Sequence, residues 1–321
     1  MNTIIITQIL ILGILVIIGV VAAHLKILTK EVNQSVSQVV FYITLPLLLF
    51  SSISSIQMKT EIITNSVMVF VFTFAALFML YWLARLSAFL FELKDETRTI
   101  HIVHTLFGNT IFLGFPLIKA VYGEEGLLYA MVYQLASDIV MWTIGVSMMQ
   151  NQKQGRSGML ENLKALINPC TIAFLIGFVV MILGIHIPYV ISNPLSNMGQ
   201  TTIPLSMLYI GGMLAFIDIK GMLSHSYVFA MSINKMLISP IIIFLIMYFL
   251  NRIIQFQISF IALSVIILQV AMPGMATIVI LSKRYGLDDR HATENVFVST
   301  VLSIISLPLI YFVINFINKI I

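Results

Sequence analysis

The sequence predicts an all-α polytopic membrane protein: ten transmembrane helices forming two inverted five-helix repeats, with the fourth and ninth helices broken. Three observations carry this expectation. The 321 residues are 60% hydrophobic and only 9% charged, against about 25% charged in a soluble domain. The apolar stretches are long enough for crossings of about 20 residues each and are separated by short polar connections. Two of them, at corresponding places in the two halves, are interrupted by glycine and proline.

In chain order the spans are expected near 3–23, 36–56, 63–84, 100–121, 126–149, 166–186, 199–218, 228–250, 258–282 and 294–318. The first lacks the basic leader of a signal peptide and is long enough to cross, so it reads as a retained helix. The second carries Pro46 and the serine pairs Ser51-Ser52 and Ser54-Ser55, and the fifth carries Asp138 at its middle. Polar residues collect in connections such as Lys26 to Gln34, Glu92 to Arg98, Gln150 to Lys164 and Lys283 to Arg290. The lone Cys170 permits no internal disulfide.

Charge sets the expected orientation. Of the 17 Lys and Arg residues, 12 lie in the loops after helices one, three, five, seven and nine, including Lys153, Arg156 and Lys220. Lys59, Lys119, Arg252 and Lys319 lie on the opposite side, and Lys235 falls inside the eighth span. The positive-inside rule puts the twelve in the cytoplasm and both termini outside it. A net charge of +4 carried in such loops suggests neither nucleic acid nor an acidic partner.

The prolines point to an internal repeat. Pro46 and Pro204 are 158 positions apart, and Pro116 and Pro273 are 157 apart. Residues 1–149 and 166–321 then form two five-helix halves joined by a cytoplasmic linker, 150–165. Five crossings per half force the halves to be inverted. The run Gly108-Asn109-Thr110-Ile111-Phe112-Leu113-Gly114-Phe115-Pro116 and the run from Gln269 through Pro273 and Gly274 to Thr277 read as the two breaks. Proline removes a backbone donor, and flanking glycines let the chain leave helical geometry. Non-helical backbone at bilayer depth is tolerated only where protein buries it or a cavity receives it, which is where secondary transporters bind solutes.

The segment from Asn109 to Gly123, with Gly114, Pro116, Lys119 and Tyr122 in register, closely resembles the broken fourth helix of the auxin efflux carrier family. Asn168-Pro169-Cys170-Thr171 resembles that family's Asn-Pro-x-Thr-Tyr motif, with Ile172 in place of the tyrosine. The second break at Pro273 and the Ser299-Thr300 to Pro308 pattern extend the resemblance over the whole chain. It implies a scaffold of helices 1, 2, 6 and 7, a moving transport part of helices 3–5 and 8–10, and broken helices that cross at Pro116 and Pro273. It also implies small organic anions as substrates, among them indole-3-acetate, malate and malonate. The short linker fits a compact prokaryotic member in the plasma membrane better than a plant exporter.

The expected anion site is the crossing itself. Half-helix N-termini present free amides, and a carboxamide donates without the desolvation penalty of a full charge. Asn109, Thr110, Gln269 and Thr277 are the candidates, with Ser51 a weaker one; the alternative is that they only satisfy backbone at the breaks. Asp138, with Gln134 one turn earlier, is either a proton site or a structural hydrogen-bonded or ion-paired carboxylate. Lys235 is its expected ion-pair partner, or else snorkels to the interface. His101 and His104 share a face but lack a third ligand, so they are expected as interfacial histidines rather than a metal site. Ser299, Thr300 and Ser303 are expected to serve helix packing. No His-Glu-x-x-His or Gly-x-Ser-x-Gly motif supports an intramembrane enzyme, and a channel differs from a carrier in mechanism rather than in fold. The expected partners are a small organic anion, a coupled proton, the bilayer and a second copy of the chain, with no cofactor, metal or nucleic acid.

Overall fold

The computed structural model describes residues 2–150, 164–217, 225–254 and 258–320. The linker basics Lys153 and Arg156, and Lys220, lie outside the described residues. The regular structure of those described is all helical, and the single strand-like pairing among them is an isolated antiparallel bridge between Gly108 and Gly274. Among the described residues five segments are long and apolar enough to cross a membrane: Lys30–Ser54, Thr60–Leu90, Thr110–Gln150, Ser226–Ile253 and Asp289–Lys319. Leu10–His24, Pro169–Leu183 and Phe260–Val270 are shorter apolar helices. Ile17, Val179 and Ile304, on different helices, are all exposed; in a bilayer such surfaces face lipid rather than water. This is a multi-pass membrane protein.

The helices fall into two compact units, described separately. The first comprises Met1–Val67, Ile111–Val132 and Ile167–Ile217. It contains α1 (Asn2–His24), α2 (Lys30–Val39), α3 (Leu45–Ser54), the start of α4 (Thr60–Leu90), the opening of α6 (Phe115–Val140), α8 (Pro169–Leu183), α9 (Tyr189–Gln200) and α10 (Thr202–Ala215). The second comprises Met68–Thr110, Tyr133–Leu166 and Asp218–Ile321. It holds the rest of α4 and α6, α5 (Asp95–Leu106), α7 (Val146–Gln150), α11 (Ser226–Ile233), α12 (Ser239–Ile254), α13 (Phe260–Val270), α14 (Ala276–Arg284) and α15 (Asp289–Ile320).

Local chemistry sets the helix ends. The side chain of Asn168 accepts from the amides of Cys170 and Thr171, both at 3.0 Å, and Pro169 occupies the first turn of α8, where no donor is needed. The Asn-Pro-x-Thr run is therefore a helix start. Ser259 caps α13 in the same way, its hydroxyl oxygen accepting from Ala262 N at 3.2 Å. Gly123 turns the chain within α6 at φ 66°, ψ −150°, a conformation closed to ordinary side chains.

Three prolines show how these helices absorb a missing donor. Widened π-helical turns at Val40–Thr44, Thr110–Gly114 and Asn234–Ile238 stand just ahead of Pro46, Pro116 and Pro240. The proline ring clashes with the carbonyl one turn back, and one extra residue in that turn relieves the clash while the helix continues. Pro116 consequently does not break its helix; it lies in the first turn of α6. The break comes earlier, where Phe107 turns extended at φ −113°, ψ 122°.

In the first unit α1 lies along α10 at a close approach of backbones. A Cβ on Gly19 would sit 2.5 Å from Leu208 O, and one on Gly211 would meet Val16 O and lie 2.8 Å from Gly19 Cα. Small residues are what allow apolar helices to pack this tightly without a hydrophobic driving force between them. Gly211→Ala is expected to destabilise the protein by about 1–3 kcal/mol through overpacking. Gly13→Ala, with open space around it, should be neutral or slightly stabilising. Thermal unfolding of the two purified variants checks this, and equal losses would contradict the close approach.

Candidate functional site

The site is built within the second unit, where two helices end facing each other. α5 runs to Leu106 and α13 to Val270; the chain resumes helical geometry at Thr110 and Ala276. Between these ends Gly108 and Gly274 pair as antiparallel backbone, and Asn109 N donates to Pro273 O at 2.7 Å. Thr110 N donates to Gly108 O at 2.8 Å. Gly274 N donates to the hydroxyl oxygen of Ser299 at 2.9 Å, and that hydroxyl donates on to Asn295 O at 2.5 Å. Groups freed by one break are thus satisfied by the other break and by α15.

Only glycine fits at the two bridge positions. A Cβ on Gly108 would lie 2.8 Å from Met272 O, and one on Gly274 would lie 2.9 Å from Cδ2 of His104 and 3.3 Å from the Ser299 hydroxyl. Gly108 and Gly274 are 166 positions apart, whereas Pro116 and Pro273 are 157 apart. Pro273 lies in its break and Pro116 beyond its own, so the proline register does not superpose the two breaks.

A hydrogen-bonded chain leads away from the crossing. Thr110 Oγ1 donates to Gln134 Oε1, and Gln134 Nε2 donates to Asp138 Oδ1 at 2.8 Å. Thr110 and Gln134 are buried, and Asp138 is half-buried. Asn109 is buried too, at 6% exposure. Gln269 lies in the last turn of α13, fully enclosed, and its backbone carbonyl accepts from Met272 N at 3.3 Å. Thr277 is half-buried in the first turn of α14.

Lys235 corrects the expectation attached to it. It sits in the π-helical turn before α12, is completely buried, and donates from Nζ to Thr105 O at 2.8 Å. It neither snorkels nor pairs with Asp138. It caps the carbonyl end of α5, where a cation is favoured by the helix dipole and an orphan acceptor needs a donor. His101 and His104 are likewise buried rather than interfacial; His101 Nε2 meets Ser87 Oγ at 3.1 Å and His104 Nδ1 meets Ile100 O at 3.2 Å.

The structure therefore brings together Gly108, Asn109, Thr110, Pro273 and Gly274, joins Gln134 and Asp138 to them through Thr110, and flanks them with Gln269 and Thr277. Gly114, Pro116 and Ser51 belong to the first unit. Sequence reasoning missed Ser299 and Lys235 as partners of the broken backbone. A serine in an apolar helix and a lysine at mid-span were the available signals, but neither names its partner.

The family model described as "Membrane transport protein" matches residues 4–163 and 158–311. The chain belongs to this family, that of the auxin efflux carriers. It is 25% identical over 305 residues to an uncharacterized transporter of Methanocaldococcus jannaschii, covering 94% of this chain and 96% of that one. A second uncharacterized transporter, from Methanothermobacter thermautotrophicus, is 25% identical over 303 residues, covering 92% and 94%. Membership of a transporter family sets this chain apart from the enzymes considered in its sequence.

Removing the Lys235 donor strands a buried carbonyl, so Lys235→Met is expected to lose about 1–3 kcal/mol of stability. Since Lys235 and Asp138 are not paired, the double variant Lys235→Met, Asp138→Asn should be additive within about 0.5 kcal/mol. A double-mutant cycle on thermal or denaturant unfolding measures this. Rescue of one change by the other would restore the ion pair that the structure replaces with the helix cap.

Proposed function

We propose that the protein is a secondary transporter of small organic anions, mono- or dicarboxylates such as malate, malonate or auxin-like acids, bound at the crossing and moved by elevator-type alternating access. The observation that carries this reading is the meeting of two interrupted helices at Gly108 and Gly274. The buried side chains of Asn109, Thr110 and Gln269 and the half-buried hydroxyl of Thr277 stand on or beside the interrupted ends. A carboxylate is the natural ligand of helix N-termini and neutral donors: they match its charge while burying no opposing charge.

Ten crossings in two inverted halves, 1–149 and 166–321, place both termini outside the cytoplasm of a prokaryotic cell. The uneven distribution of lysine and arginine supports that orientation. A scaffold of helices 1, 2, 6 and 7 beside a transport part of helices 3–5 and 8–10 draws support from the two compact units. Helices 1, 2, 6 and 7 group in the first, along with Ile111–Val132, and most of the remainder groups in the second. The chain Thr110, Gln134, Asp138 supports proton coupling, since a carboxylate wired to the site through one carboxamide can register its occupancy. The relatives' name of transporter supports transport without naming a solute.

Asn109→Ala removes one hydrogen bond to a charged ligand, worth about 1.5–3 kcal/mol, and should weaken malonate binding by roughly one to two orders of magnitude. Calorimetry on the purified variant tests it, and wild-type affinity would move the site elsewhere. Asp138→Asn should keep the fold and abolish the dependence of uptake on a proton gradient. An unchanged pH profile of uptake in proteoliposomes would leave Asp138 a structural acceptor.

A further inference from the structure

The first unit contains a cavity of about 860 Å³ that the crossing does not use. It is an open pocket bounded by the end of α3 with its following loop, the stretch of α6 around Lys119, the end of α8 and the start of α9. Its loops, after the second, fourth and sixth predicted spans, all lie at the end that charge distribution assigns to the outside of the cell. Ser51, Ser52, Ser55, Ser192, Asn193 and Ser196 give it a lining rich in short hydrogen-bonding side chains.

Among the described lining residues Lys119 supplies a permanent cation. Lys119 Nζ donates to Ser52 Oγ at 2.7 Å and pairs with Glu124 Oε1 at 3.1 Å. The positive φ of Gly123 lets Glu124 turn back over the lysine. An ammonium has three donors, and these contacts use two. The pair is held loosely on one side only: the Lys119 side chain is 16% exposed and that of Glu124 43%. Glu124 Oε2 is buried yet has no hydrogen-bond partner. A half-exposed ion pair contributes little stability, so an incoming carboxylate can displace Glu124 without disturbing the fold.

We propose that this cavity is a second, recruiting subsite for a small polar carboxylate, held by Lys119 and Ser52 in competition with Glu124. The proposal rests on the anion reading of the crossing but assigns a separate site. Ser52 Oγ accepts from Lys119 and keeps its own hydrogen to donate, whereas Ser51, Ser55 and Ser192 donate to carbonyls of their own helices and would re-aim to reach a ligand; a lining of such short polar side chains suits a short hydroxylated or dicarboxylic acid better than an aromatic one. Glu124 acts as a resident counter-ion: it keeps the lysine neutralised when the cavity is empty and yields it to a ligand carrying the same group.

The test is protection of Lys119 from a water-soluble amine-acylating reagent, read by mass spectrometry on the full-length protein in phosphatidylcholine nanodiscs. Malonate is the probe, with sodium chloride at equal ionic strength as the control. Acylation of Lys119 should slow saturably, about tenfold at ten times the half-protecting malonate concentration. Glu124→Gln should lower that concentration. Protection should persist in Asn109→Ala, whose uptake of malonate in proteoliposomes reports on the crossing separately, so failure of either site is distinguishable from failure of the other. Three results would overturn the subsite: no saturable slowing in the wild type, slowing that vanishes in Asn109→Ala, or slowing produced by phosphatidylglycerol in the nanodisc but not by malonate.

Discussion

A helix interrupted within hydrocarbon exposes amides and carbonyls that water cannot reach, and each needs a partner from the protein. That requirement organises the second unit. The amide of Asn109 goes to Pro273 O, Gly108 pairs with Gly274, Gly274 N goes to Ser299, and the carbonyl end of α5 goes to Lys235. Because two breaks meet, they satisfy one another's backbone through a pair of residues that must both lack a Cβ. The side chains gathered at the two breaks, Asn109, Thr110 and Gln269, are neutral, and that is the basis of the anion site proposed here.

The charged groups are arranged to leave that spot uncharged. Lys235 is committed to a helix end, and Asp138 stands two hydrogen bonds away from Thr110. In the proposed anion site this matters, because a fixed cation would hold a carboxylate tightly and release it slowly, whereas dipoles and carboxamides would bind it weakly enough to turn over. In the first unit the opposite choice is made: Lys119 is a full charge, but one with a resident competitor in Glu124.

Much of this was legible in the sequence, for identifiable reasons. Hydropathy gives helices because the bilayer leaves the backbone little alternative, and Gly108, Asn109, Pro273 and Gly274 announce a break through their backbone preferences. Pro116 misled because proline in a long apolar helix has two outcomes, a break or a widened turn, and packing decides between them. Lys235 misled because a buried charge advertises its need for a partner but not the partner's identity. A backbone carbonyl 130 positions away in the chain leaves no trace in residue type. Ser299 was hidden for the same reason: a hydroxyl that satisfies its own helix and one that serves a neighbouring break are spelled alike.

The central claim is that the paired breaks are the anion site, and ligand-dependent hydrogen exchange of backbone amides addresses it most directly. With malonate added to the purified protein, peptides spanning Phe107–Leu113 and Ala271–Thr277 should exchange more slowly, while α1 and α10 should not change. Protection confined to other segments, with both breaks exchanging as they do without ligand, would contradict the account.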